Sequence, residues 1–161
     1  MAPGNPGSLL AIQIGRKAAA RLESVAEARA VPGKGLEGDR YFLGRGHFSW
    51  KVWRTGHQLT LIESETIAAL EREHGITLSP VETRRNLVTS GVSLNDLVGK
   101  TFRVGAVRMK GVRLAEPCDH LERLTQPGVT KSLVHRGGLR ADILDDGVLH
   151  VGDAIVLAPD L

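Results

Sequence analysis

Short apolar runs punctuated by glycine recur along the chain at intervals too brief for long helices. Leu9-Leu10-Ala11-Ile12-Gln13-Ile14 reads as a first strand, ended by Gly15. The segment Arg16–Arg29 is Ala-rich and helical by propensity, but its apolar spacing is ragged and Val25–Val31 fits a strand equally well, so both readings stand. Gly33, Gly35 and Gly38 predict a sharp loop around Glu37-Gly38-Asp39-Arg40. Residues 41–57 gather Tyr41, Phe42, Phe48, Trp50 and Trp53 among glycines and basic residues, which predicts an exposed loop suited to act as a lid. Gln58–Ile62 reads as a strand. A helix capped by Ser64 should follow to about His74, with Ile67, Ala68 and Leu70 inward and Gly75 closing it.

Ser79-Pro80-Val81-Glu82 has the form of a capping box with proline at the first helical position, predicting one short turn. Arg85–Thr89 should be extended and Ser93–Val98 another short turn. From Thr101 the pattern is β, with Phe102 and Val104 alternating with Arg103, then a run Val107–Leu114. Asp119–Thr125 and Thr130–Val134 read as short helices. Ala141–Leu144, Asp145-Asp146-Gly147 and Val148–Val151 spell strand, turn, strand, and Ala154–Leu157 a last strand. Many short strands joined by glycine turns predict a mainly β, antiparallel, barrel-like domain with a few short helices. Residues 1–8 read as a flexible lead-in and 9–161 as one domain.

Composition narrows the class. At 161 residues, 42% hydrophobic and 24% charged, the chain is an ordinary globular domain. A domain this long buries roughly 70% of its unfolded surface and needs no staple. One cysteine excludes an internal disulfide and any zinc site built from two thiolates. Met1–Ser8 lacks the basic start and apolar stretch of a signal peptide, and no apolar run is long enough to span a bilayer. A cytoplasmic location is the expectation. The net charge is +3, from 15 Arg and 6 Lys against 18 acids. An arginine surplus suits an anionic ligand, although genomic composition produces the same bias. At 4% aromatic, the chain offers few stacking platforms for single-stranded nucleic acid.

Cys118 follows Pro117, which predicts a place in the first turn of a helix, where the dipole favours a thiolate. Such a thiolate suits a nucleophile, a sulfur carrier or a soft-metal ligand, whereas a lone cysteine is more often a small buried hydrophobe. His135-Arg136-Gly137-Gly138-Leu139-Arg140 fits an anion nest flanked by two guanidiniums, and equally an ordinary tight turn. Thr83-Arg84-Arg85-Asn86 adds two guanidiniums and an amide, or is a solvated helix end. Glu37–Arg40 fits a turn with a surface ion pair. The six histidines show no metal-ligand spacing, and no nucleophile elbow, phosphate loop or dinucleotide fingerprint is present.

Taken in order, Gly35–Arg40, Arg84-Arg85-Asn86-Leu87-Val88, Leu94–Lys100, Leu114–Cys118, and His135–Ala141 ending at Val151-Gly152-Asp153 resemble the MOSC domain family. That family takes its name from the C-terminal domain of the molybdenum-cofactor sulfurases, and the likeness spans about residues 9 to 158. The resemblance implies a β-rich barrel whose single cysteine handles molybdenum-cofactor chemistry. It implies Cys118 as the molybdenum ligand, as in members that reduce N-hydroxylated compounds, or as the acceptor and donor of sulfur in sulfurase-linked members. It also implies Arg84, Arg85 and Asn86, the segment His135, Arg136, Gly137, Gly138 and Arg140, and Asp39 as cofactor-binding positions. The reductases carry an extra N-terminal region, of which only about eight residues precede the first strand here. The pyridoxal-phosphate domain of the sulfurases is absent too, so sulfur would come from a separate desulfurase partner and electrons from a separate redox protein.

Three expectations follow. The first is a cofactor-dependent reductase acting on a small-molecule substrate. The second is a sulfur carrier that passes a Cys118 persulfide to the cofactor or another acceptor. Of another class is a nucleic-acid-binding barrel, which the low aromatic content and modest charge disfavour. A thiol hydrolase pairing Cys118 with His120 or His135 is a lesser alternative.

Overall fold

The computed structural model describes residues 6–45 and 56–158, and the aromatics Phe48, Trp50 and Trp53 of the expected lid lie outside them. The chain runs β1 (Gly7–Ile14), β2 (Glu23–Val25), β3 (Glu27–Val31), β4 (Gly35–Leu36), β5 (Leu59–Glu63), α1 (Ser64–His74) and β6 (Leu87–Ser90). It continues with β7 (Thr101–Val104), β8 (Val107–Leu114), α2 (Asp119–Leu124), α3 (Val129–Ser132), β9 (Leu139–Ile143), β10 (Gly147–His150) and β11 (Ala154–Leu157). One-turn 3-10 helices occupy Pro80–Thr83 and Leu94–Leu97. The ambiguous segment after Gly15 resolves as irregular turns and then strand. Ala28 and Ala30 alternate inward along β3.

Seven strands close on themselves in the order β11-β7-β8-β9-β5-β6-β1, the last pairing back to β11 through Gly7↔Ile155 and Ser8↔Ala154. The first strand therefore begins at Gly7, inside the expected lead-in. Closure removes the open edge and gives the inward residues one enclosed core. Leu9, Ile12, Leu61, Leu87, Phe102, Met109, Leu139 and Ile155 fill it, all fully buried. The pair Phe102↔Met109 joins β7 to β8 across this interior.

Two expectations need correction. The barrel is mixed rather than wholly antiparallel, because β5 and β6 run parallel, with Leu61↔Leu87 in register. A parallel neighbour requires a crossover, and α1 with the Pro80–Thr83 turn supplies it. The strand-turn-strand signal at 141–151 makes no hairpin either. β9 stays in the barrel, while β10 pairs with β3 in a three-stranded sheet through Gly147↔Ala30 and Leu149↔Ala28. The paired acids at the corner explain the divergence. Arg108 on β8 grips Asp145 with its backbone N–H and two guanidinium N–H groups, each at 3.0 Å. Arg29 on β3 grips Asp146 at 2.9 and 2.8 Å. The two acids are thus tied to different strands, β8 and β3, at the point where β9 and β10 part.

The capping box forms as expected, with the Ser79 N–H donating to Glu82 at 2.8 Å. In α1 the inward face is Thr66, Ala69 and Leu70, with Ala68 exposed and Ile67 half-buried. The stripe is thus rotated by one residue from the apolar reading, since Thr66 and Leu70 at i and i+4 share the packed face. The extended cap residue is Glu63 rather than Ser64, and Gly75 ends the helix at φ 65°. Under α1 a second, smaller apolar cluster gathers Leu70, Ile76, Leu78, Leu121, Val129 and Leu133. Cys118 packs against it.

Glu63 ends β5 half-buried, accepting the Leu94 N–H at 3.2 Å. Burial pushes its carboxyl above the ordinary range, and Glu65 and Asp96 push the same way. A raised carboxyl favours the folded state at low pH, and that advantage is lost as pH rises from the ordinary value through the raised one. Glu63→Gln keeps the acceptor and removes the charge. It should therefore melt above the parent at pH 7, with the gap closing toward pH 4.5, as thermal melts across that range will show.

Candidate functional site

Three segments far apart in sequence meet over the paired strands β5 and β9. Register places Thr60 beside Arg140. The loop after β4 brings Arg40 and Tyr41, the entry to β6 brings Arg84 and Arg85, and the start of α2 brings Cys118, His120 and Leu121. The enclosed space among them is about 30 Å³, room for one or two water-sized groups. Arg84 also lines a neighbouring groove of about 300 Å³.

Arg40, Arg84 and Arg85 each donate to backbone carbonyls. Arg85 is 8% exposed and donates from Nε to the Gly137 carbonyl and from a terminal nitrogen to the Ala115 carbonyl, both at 2.8 Å. Arg84 takes a left-handed backbone, φ 60°, at the end of the Pro80–Thr83 turn, and donates to the Ala20 carbonyl at 2.7 Å. A non-glycine residue in that region costs about 1–3 kcal/mol and persists only where its surroundings fix it. Arg40 donates to the Arg84 carbonyl at 3.0 Å and to Asp39 at 2.9 Å, and its guanidinium stacks 4.9 Å from the Tyr41 ring. Arg140, 9% exposed, is hydrogen-bonded to Tyr41.

These cations are crowded and desolvated. Burial, then the like charge of Arg140, pulls Arg85 down to about 10. Burial lowers Arg84, with Arg40 adding to it, and burial lowers Arg140. The charge interaction of Cys118 with both Arg85 and Arg140 is attractive. No carboxylate lines the pocket among the described residues. Buried charge without a counter-charge is expensive, and an anion entering this space relieves the cost.

Cys118 is half-buried and extended, φ −140° and ψ 169°, one residue ahead of α2 rather than inside its first turn. Its carbonyl accepts the Glu122 N–H at 3.2 Å and so starts the helix. Of the other sequence candidates, Arg84, Arg85 and Arg140 line the pocket and the rest stand behind or away from it. Asp39 is wholly buried, its oxygens taken by the Gly15 and Tyr41 N–H groups and by Arg40, so the expected surface ion pair is internal. Asn86 is also wholly buried, accepting from Thr60 and donating to the Gln13 carbonyl, which stitches β5, β6 and β1 together. His135 is exposed against Glu116, and Arg136 turns to Glu73 and the Ser132 carbonyl. Neither reaches the pocket.

Gly137 and Gly138 serve close packing rather than an anion nest. A Cβ on Gly137 would strike the Ala115 carbonyl oxygen, and one on Gly138, at φ 112°, the Leu61 carbonyl oxygen. Sequence reasoning did not assign Arg40, Tyr41, Thr60 or Leu121 to the site, and weighed His120 only beside Cys118. Arg40 closes the quoted motif directly after Asp39 and Tyr41 opens the aromatic loop that follows, which was the available signal. Thr60 enters through strand pairing alone. Among the described residues no cluster of three His, Cys, Asp or Glu side chains could hold a metal ion, and no helix is long and apolar enough to cross a membrane.

Comparison with known proteins gives a consistent picture. The family model for the MOSC domain matches residues 36–156. The crystal structure of the YuaD protein from Bacillus subtilis is similar, with a TM-score of 0.78 at 15% identity, covering 94% of this chain and 95% of that one. YiiM from Geobacillus stearothermophilus gives 0.69 at 17% identity, over 96% of this chain and 76% of that one. YiiM from Escherichia coli gives 0.67 at 18%, over 97% and 70%. At these identities the likeness is one of fold. No curated protein matches the chain.

Gly138→Ala should cost about 2–4 kcal/mol in denaturant unfolding, from the clash and the positive φ together, whereas exposed His135→Ala should stay within about 0.5 kcal/mol. Phosphate or molybdate at ten times its dissociation constant should stabilise the parent by about 1.4 kcal/mol, a rise of about 3–6 °C in Tm. Chloride at matched ionic strength should not, and Arg84→Ala/Arg140→Ala should abolish the rise.

Proposed function

The chain belongs to the MOSC domain family, and from that premise we propose that it binds the molybdenum cofactor, with Cys118 as the metal's protein ligand, to support reduction of N-hydroxylated compounds. The observation that carries this reading is a half-buried sulfur in a pocket lined by four guanidiniums and no carboxylate among the described residues. The donor set fits the group. A soft thiolate suits molybdenum, and guanidiniums suit the oxyanionic centre and the pterin phosphate. The neighbouring groove, which shares Arg84 with this space, supports the reading as room for the bulk of a pterin.

When bound, the cofactor supplies two-electron exchange. This chain's residues supply the rest. Arg85 and Arg140, fixed by backbone and Tyr41 respectively, hold negative charge near Cys118 without reorganising. Tyr41 Oη and the His120 ring are the proton-bearing groups of the pocket. Converting N–OH to N–H consumes two electrons and two protons and releases water. The electrons come from a separate redox protein and the protons enter through these groups.

A second reading, a sulfur carrier, draws support from the enclosed space itself. Its roughly 30 Å³ beside Cys118 suits one added sulfur atom. With a single cysteine in the chain, no internal thiol can resolve a persulfide, so the sulfur would pass from a pyridoxal-phosphate desulfurase to an external acceptor.

Full-length protein made in a host with an intact cofactor pathway should carry about one molybdenum atom per chain by elemental analysis, and Cys118→Ser should lose at least ten-fold. Metal-free parent protein overturns the reductase reading. Incubation with a cysteine desulfurase and cysteine should, on the carrier reading alone, give a one-sulfur adduct by intact mass on the parent and none on Cys118→Ser.

A further inference from the structure

Arg84 lines both the inner pocket and a neighbouring groove. The neighbouring space shares Arg21 with a wider trough of about 680 Å³, floored by Ile14 and Leu43. Its walls carry Arg16, Lys17, Arg21 and Arg45, all exposed and none in an ion pair with a described residue, against one acid, Glu23. Their arrangement is set by backbone. The Ala18 N–H donates to the Arg45 carbonyl at 2.8 Å, which draws the Arg16–Lys17 turn against Arg45. The Arg45 N–H donates to the Arg40 carbonyl at 2.7 Å, which ties the trough to the inner pocket. Ala19, at φ 65°, closes the turn in a left-handed conformation uncommon for alanine.

We propose that this trough binds the phosphates of a nucleoside diphosphate. Four converging cations, three of them guanidiniums, match a diphosphate's charge and forked geometry. The concavity and apolar floor suit a small ligand with a flat apolar portion rather than a protein surface or a continuous strand. Two sources offer this chemistry, a free nucleotide and the nucleotide tail of a dinucleotide whose other end occupies the Cys118 pocket. Only the second rests on the cofactor reading.

ADP titrated into the cofactor-free full-length chain at low salt should bind at one saturable site by calorimetry. Arg21→Ala/Arg45→Ala should weaken it at least ten-fold, and Cys118→Ser should bind as the parent does. Absence of saturable binding, or an unchanged constant in the double variant, overturns the proposal. So does a 20-residue single-stranded oligonucleotide that binds and is not displaced by ADP. Binding of ADP to cofactor-loaded protein identifies a free nucleotide. Exclusion of ADP there, with a nucleoside monophosphate released on acid treatment, identifies the tail. Both arms uphold the site. Failure of the cofactor reading appears separately, as absent molybdenum.

Discussion

The site hangs on one buried guanidinium. Arg85 leaves water without an acid to meet it, and its two hydrogen bonds fasten the entry of β6 to the Gly137 and Ala115 carbonyls. Those carbonyls belong to the segments that carry Arg140 and Cys118 into place. Gly137 and Gly138 make the approach possible, since any side chain there would collide with the backbone it must touch. The three segments therefore close together or not at all. Hydrogen bonds to charged donors contribute about 1.5–3 kcal/mol each, which offsets much of the desolvation that pulls Arg85 down to about 10.

Charge balance follows from the same economy. Asp39 is a carboxylate behind the pocket, and its oxygens are already divided among Arg40 and two backbone N–H groups. It fixes Arg40 and its charge also favours Arg84, while Arg85 takes no such support from it. The result is a cluster of cations that is rigid, partly dry and short of negative charge. Such a cluster stores a cost in the empty protein that an anionic guest lowers on arrival.

Much of the barrel was legible in sequence because its strands alternate or run apolar between glycine turns. Phe102–Val104 and Val107–Leu114 are clear cases. The parallel step between β5 and β6 was not, since periodicity marks strands without their direction. The false hairpin at Asp145-Asp146-Gly147 fails for a related reason. The turn residues are right for a hairpin, but Arg108 and Arg29, distant in sequence, compete for the two carboxylates and win. Within the site, the short motifs pointed to the correct neighbourhoods and missed the side chains' roles. Asp39 and Asn86 face inward and organise, whereas Arg40 and Tyr41 beside Asp39 face the pocket. A motif fixes position along the chain, and the pleat or turn decides which member points where.

Cys118 occupies a seam, and that placement bears on its chemistry. On one side stands the closed barrel, with Thr60 and Arg140 on paired strands that cannot shift independently. On the other is the small cluster around Leu70, Leu121 and Leu133, carried by short helices. A purely structural cysteine would sit inside one core or the other. This one instead packs its flank on the helical cluster while lining a cationic pocket on the barrel side, half open to solvent. Stability alone does not call for a polarizable sulfur at such a boundary, because a small apolar residue would pack there without facing four guanidiniums. The anionic, thiophilic guest we propose would call for it, since the barrel supplies the guanidiniums and the start of α2 supplies the sulfur.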